Sequence, residues 1–317
     1  MGLFPRNLNE YVASLGIPRG PLSKAYLVDP VNGDDDNPGT NWLAPLKTLE
    51  AAEALCVGDR HDAVLFLAGD TADNPAASIT WDKDYTHLIG VGCELPGLGQ
   101  RCRVVLQAAV AATPVITFAS NGCIIKNIQF YQEKATGAAS GVAVVTGSRN
   151  HFENVFFMTP VSATAASYSL KVSGAENMFK RCTIGQYTNF RSEATYGLWL
   201  HGATAVSRNR FVQCEFLSWS GAASSVHVHV LVDADIVTVP WMTQFEDCLF
   251  ANNYGGGTIQ IQAIDDNSTA VGHQILLRGQ NQFAGCTAVA DTTTYLFHAE
   301  IGTGTQSGLL MAAVNES

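Results

Sequence analysis

Between residues 151 and 288 the chain repeats one short phrase: HFENVFF (151–157), MFKRCTI (178–184), RFVQCEF (210–216), QFEDCLF (244–250) and QFAGCTA (282–288). Each copy reduces to Phe, then Cys or Val three residues on, then an apolar residue two further. An earlier copy, CIIKNIQF (123–130), puts Ile125, Ile128 and Phe130 in the same slots. The anchors Ile125, Phe152, Phe179, Phe211, Phe245 and Phe283 are separated by 27, 27, 32, 34 and 38 residues. A fixed phrase at a drifting period marks a solenoid, in which each unit is one coil and insertions fall in the loops.

A second phrase precedes the first. Ala143-x-Val145-x-Gly147, Leu170-x-Val172-x-Gly174, Leu198-x-Leu200-x-Gly202 and Ile275-x-Leu277-x-Gly279 read as short alternating strands ending at a glycine turn. Residues 110–300 hold no convincing 3.6-residue period. Strands this short bury their inward faces only by stacking coil on coil, ~4.8 Å apart. Asn150, Asn177, Asn209 and Asn281 each stand two residues before the Phe. Asparagine tolerates left-handed backbone angles, and stacked asparagines bond along a ladder.

The stacking also explains the cysteines. Cys214 and Phe216 are two apart and face the same way, inward, with Phe211 across the bend. Cysteine then fills a slot with room for a small apolar group but not a ring. Eight cysteines occur, at 56, 93, 102, 123, 182, 214, 248 and 286, with no CxxC and no zinc spacing. They are expected to be reduced, buried thiols.

Together with ASNGCIIKNIQF, this pattern resembles the pectate-lyase-like superfamily of right-handed parallel β-helices. The opening YLVDPVNGDDDNPGTNWLAPLKTLEAAEAL (26–55) is similar to the entry of many such proteins, and HDAVLFLAGD and YTHLIGVG continue as a first coil. The resemblance spans roughly residues 26–300 and implies an all-β fold: a single-stranded right-handed parallel β-helix with a short N-terminal capping helix at about 45–56. That helix would plug the open end of the solenoid, with Leu46, Leu49, Ala52 and Leu55 or Cys56 on its apolar side. Residues 1–25, with Pro5, Pro18, Gly20 and Pro21, read as an extended N-terminal arm, and 26–317 as the β-helix domain.

Chemistry is harder to find. By resemblance, catalytic members carry acids or Arg/Lys bases on outward faces of neighbouring coils, and no complete hydrolase or lyase motif is present. Asp265-Asp266 reads as part of a loop. Glu246 and Asp247, aligned with Glu153, Lys180 and Arg181, read as a surface column of ion pairs. Asp34, Asp35 and Asp36 read as a turn with solvated carboxylates rather than a calcium loop. In SVHVHVLVDAD (225–235) the alternation puts Val226, Val228 and Val230 inward and His227 and His229 outward. The pair could hold a metal with Asp233 or Asp235, or six ligands on a threefold axis, but an ordinary exposed pair is the simpler reading. Trp199 faces outward between Leu198 and Leu200, with His201 beside it and Tyr187, Tyr196 and Trp219 nearby in sequence. A subunit contact is preferred there over a sugar platform, because no carboxylate pair stands alongside.

Only 15% of the residues are charged, below the ~25% usual for soluble domains. Either partners cover much of the surface or it is neutral and polar. The net charge of −10 argues against nucleic acid and against anionic membranes as partners. No apolar run reaches the ~20 residues of a membrane span, and the start lacks a secretory pattern.

The expected function is a non-enzymatic bacteriophage virion structural protein, a trimeric capsid-decorating or virion-surface β-helix made and folded in the host cytoplasm. Its expected partners are a homotrimer, other virion proteins (major capsid or tail) reached through the arm, and host surface glycans. The alternatives are a tailspike-like polysaccharide depolymerase, hydrolase or lyase, and a non-catalytic glycan-binding module. No catalytic, cofactor-binding or metal-binding residue is assigned, and no cofactor is expected.

Overall fold

The computed structural model describes residues 7–92, 102–109, 113–135, 139–202, 206–220, 227–236, 242–253, 260–267, 274–290, 295–299 and 309–311. Cys93 and Val226 lie outside these. The strands form three sheets of eleven, seven and eight members, here the long, second and third sheets, and all but one of the pairings are parallel. Strand Leu309–Met311 runs antiparallel to Tyr295–Ala299 at the end of the long sheet. The architecture is a parallel β-helix, as the sequence repeat requires.

One coil shows the path. Tyr168–Val172 lies in the third sheet, Met178–Lys180 in the long sheet and Thr183–Arg191 in the second, and Tyr196–Leu200 returns to the third one coil up. Each unit therefore has three strands rather than two, because the Phe anchor and the apolar residue after the cysteine belong to different sheets. The anchors stack in register as Ile125, Phe152, Phe179, Phe211 and Phe245. The next member is Leu277, not Phe283. Phe283 instead continues the second-sheet column of Phe130, Phe157, Ile184, Phe216 and Phe250.

The bend between the long and second sheets shows why. Asn127, Asn154, Arg181, Gln213 and Asp247 all sit there with φ between 52° and 56°. Gly279, at φ 65°, occupies that place two residues after Leu277, as Asp247 does after Phe245. So the phrase Ile275-x-Leu277-x-Gly279 belongs to the long sheet. Cys286 likewise leaves the thiol column and enters the third sheet opposite Gln260.

The interior is apolar and continuous. Phe152, Phe179, Phe211 and Phe245 are fully buried, and so are Cys182, Cys214 and Cys248, the last two with 1% exposure. All described cysteines are free thiols. Ile128 and Val155 fill the thiol slot in earlier coils. Each Cys Sγ donates to a carbonyl of the coil below, Cys214 to Phe179 at 3.4 Å and Cys248 to Phe211 at 3.4 Å. Beside this column runs an asparagine ladder. Asn150, Asn177 and Asn209 accept the backbone N–H of Cys123, Asn150 and Asn177 at 2.8, 2.9 and 3.0 Å. Their amides donate to the Ser120, Gly147 and Gly174 carbonyls. Asn281 is not a rung; it accepts from Cys248 N–H at the displaced bend.

The first end is closed by a helix, here α2 (Leu49–Leu55), shorter than the expected 45–56. Thr48 caps it through its hydroxyl, and Leu46 is instead bridged to Val28. Leu49 and Ala52 pack with Cys56, Val28 and Phe66 in the main core. The N-terminal segment is not an extended arm over its described part. Leu8–Ser14 forms a helix, α1, capped by Asn7, and buries Leu8 and Val12. The cause is on the outer face of the long sheet: Ala25, Leu27, Ala63, Leu65 and Ile89 are apolar there, and α1 covers them. Among the described residues, no helix is long and apolar enough to cross a membrane.

Candidate functional site

The outward face of the third sheet carries the richest cluster. Lys171, Trp199, Leu231 and Asp265 stack through four coils. Tyr168 and Tyr196 form a neighbouring column, and His201 and Asp233 follow the ends of their strands. Alternation dictates this: Leu198 and Leu200 are in the core, so Trp199 turns out.

Trp199 is the hub. Its indole N–H donates to Asp233 Oδ2 at 2.7 Å. The rings of Tyr168, Tyr196 and His201 lie 5.5, 5.3 and 5.1 Å from it, tilted or edge-on. The Lys171 ammonium stands 4.1 Å from the ring centroid, a cation–π contact. Burial pulls the Lys171 amine down from its ordinary value, while Asp233 and Asp235 pull it back up. Burial raises the Tyr168 phenol to about 12, and burial with Asp233 and Asp265 raises Tyr196. His201 Nε2 lies 3.3 Å from Asp235 Oδ2 and 3.7 Å from Asp233 Oδ2. The face thus offers aromatic surface, a cation and carboxylates within one patch, which can stack on a ring, bond hydroxyls or hold a cation.

Trp199 and His201 are therefore placed as the alternation predicts, but the statement that no carboxylate pair stands alongside is overturned by Asp233 and Asp235. Their partner histidine is His201, not His227 or His229. Those two do not face outward: they are 4% and 0% exposed. His229 lies against the core ring of Phe250, with centroids 6.1 Å apart. The physical reason is the corner. Where the chain enters the third sheet, consecutive residues turn inward, as Val142 with Ala143 and Ala263 with Ile264 do in other coils, so alternation starts only at Val230. His227 Nδ1 bonds the Thr195 hydroxyl at 2.9 Å. Both rings are held neutral. Burial brings His229 down to about 3, and burial, His229 and Arg191 bring His227 well below its ordinary value.

The other acids resolve plainly. Asp265 and Asp266 lie in strand Gln260–Asp266, not in a loop, opposite Leu231 and Val232. Glu246 pairs with Arg210 at 2.8 Å, and Glu153 with Lys126 at 2.9 Å and with Arg181, the expected column of ion pairs. Asp35 accepts the N–H groups of Lys47 and Thr48 and so anchors the start of α2, while Asp34 accepts from Asp36 N–H. The grouping of His201 with Asp233 and Asp235 had one signal in the sequence: aligning Leu198-x-Leu200 with Val230-x-Val232 places His201 directly over Asp233.

No protein-family model matches the chain, and no curated protein matches it. Solved structures do. A rhamnogalacturonan lyase superposes with a TM-score of 0.55 at 14% identity, covering 81% of this chain and 74% of its own. Pectate lyase Pel9A gives 0.52 at 18%, covering 93% and 74%. A pectin methylesterase in complex with a hexasaccharide gives 0.51 at 12%, covering 81% and 80%. At these identities the likeness is one of fold: the chain has the right-handed parallel β-helix that these proteins share, the fold its sequence pattern leads one to expect.

Proposed function

We propose that the chain is a bacteriophage virion-surface protein, a β-helical scaffold made and folded in the host cytoplasm that presents the Trp199 face outward. The observation that carries the reading is the thiol column. Cys182, Cys214 and Cys248 stand in successive coils, and neighbouring strands ~4.8 Å apart put them within disulfide reach. A chain that folded in an oxidising compartment would risk cross-links inside its core, whereas a reducing cytoplasm keeps such a column as packing. Sparse surface charge suits a particle-bound protein with much of its surface against other subunits, in a homotrimer or on capsid or tail proteins.

Mass spectrometry and electron microscopy of purified phage particles test this. The chain is expected at a fixed copy number on the particle exterior; its absence from intact particles ends the proposal.

A second reading is polysaccharide recognition or cleavage, which the Trp199 cluster favours. Outward aromatics beside carboxylates suit sugar rings and their hydroxyls. The fold neighbours include a lyase of pectate and one of rhamnogalacturonan by name. Product release from host polysaccharide, lost in Asp233→Asn, would support cleavage. Saturable binding weakened in Trp199→Ala without product would support recognition alone.

A further inference from the structure

We propose that His201, Asp233 and Asp235 form a binding site for a divalent first-row transition-metal ion such as Zn²⁺, on the outer edge of the third sheet. It stands apart from the virion and polysaccharide readings, since either kind of protein could carry it.

Three observations build it. The first is donor geometry. His201 Nε2 lies 3.3 Å from Asp235 Oδ2 and 3.7 Å from Asp233 Oδ2, and the three donor atoms lie within 4.8 Å of one another. Ligands at the usual ~2.1 Å from a tetrahedral ion are separated by about 3.4 Å. The trio therefore spans a face of such a polyhedron with little movement.

The second is that His201 and Asp233 are held from outside the trio, and Asp235 is tied to Asp233. His201 N–H donates to Val172 O and Asp233 N–H to Leu200 O, so both backbones are fixed in the coil stack. The Trp199 indole fixes Asp233 Oδ2, and Asp235 N–H bonds Asp233 Oδ1. A carboxylate oxygen has lone pairs for both an N–H and a metal, and orienting bonds of this kind are a usual part of a metal site.

The third is charge. Among the described residues the salt-bridge contacts of Asp233 and Asp235 are to His201 alone, and the Lys171 ammonium, on which both carboxylates also act, stands over the Trp199 ring. Two carboxylates against one ammonium still leave a net negative charge that a divalent ion would balance. The imidazole selects the ion: calcium takes six to eight oxygens, whereas nitrogen with carboxylates suits zinc and its neighbours. Three protein donors on one side leave a position open to water or another ligand.

The test is equilibrium dialysis of the chelator-treated full chain against Zn²⁺, with Ca²⁺ in parallel, and Co²⁺ absorption and Trp199 fluorescence as spectroscopic readouts. One equivalent of Zn²⁺ is expected, with a visible Co²⁺ spectrum and altered indole emission. Binding should vanish in His201→Ala and in Asp235→Asn. The latter residue's side chain is 63% exposed, so that variant should fold. Trp199→Phe should weaken binding about ten- to a hundredfold by freeing Asp233. Less than about a tenth of an equivalent in the wild-type chain, full binding retained by Asp235→Asn, or equal affinity for Ca²⁺ would overturn the proposal.

Discussion

The Phe179 and Phe211 rings lie 4.6 Å apart and 5° from parallel, though 32 residues separate them in the chain. Phe152 stacks below at 4.7 Å and Phe245 above at 5.0 Å. The column is the physical content of the sequence repeat, and its cohesion sets the stability of the middle coils.

Removing one ring from that column should be expensive. Phe211→Ala deletes a fully buried ring with a stacked neighbour on each side, so a loss of ~3–5 kcal/mol is expected in reversible denaturant unfolding. A loss under ~1 kcal/mol would mean that the column does not exist in solution.

The thiol slot should tolerate shape but not bulk. Val155 already occupies it one coil before Cys182, so Cys214→Val should cost under ~1.5 kcal/mol, and Cys214→Leu ~1–3 kcal/mol by overpacking. Burial, together with the neighbouring Cys182 and Cys248, raises the Cys214 thiol well above its ordinary value. Native protein should therefore resist alkylation at Cys182, Cys214 and Cys248, and peptide mass spectrometry should find all three labelled once the chain is unfolded.

Much of this was legible beforehand. The Phe and Cys spacing identified the stack, its inward faces and the glycine turns. Several features were not, among them three with clear physical causes. Phe283 repeats the local phrase but belongs to the other column, because Leu277 replaces the aromatic anchor and Gly279 the polar bend residue. His227 and His229 fit an alternation that the corner breaks. Leu8 and Val12 lie one helical turn apart, but α1 is explained only by the apolar outer face it covers, which three distant strands assemble.

Cutting the asparagine ladder tests the polar side of the same coils. Asn177→Ala removes the acceptor of Asn150 N–H and the donor to Gly147 O, both buried. Each orphaned group costs ~1–3 kcal/mol, so the midpoint in urea should fall clearly. Asn281→Ala, outside the ladder, should cost less.

Acid should destabilise the protein through its buried histidines. His229 titrates at about 3 in the fold against 6.5 as a free side chain, and His227 shifts in the same direction. The unfolded chain therefore binds more protons between these values. Their contribution is intact above about pH 6.5 and declines as pH falls toward 3. Thermal melting across that range should show the slope, and His229→Leu should reduce it.

Across the three coils from Leu170 to Ile264, coil length varies on one side of the stack. Phe179 to Ile184, Phe211 to Phe216 and Phe245 to Phe250 each take five residues, around a bend residue of positive φ. From the third sheet to the long sheet the count grows, from nine between Leu170 and Phe179 to thirteen between Leu198 and Phe211 and fifteen between Val230 and Phe245. His201, Asp233 and Asp235 stand at the root of that widened rim. Variation among descendants of this chain can therefore lengthen, shorten or replace the loops beside Trp199 in these coils while the five-residue bends between the Phe columns stay unchanged.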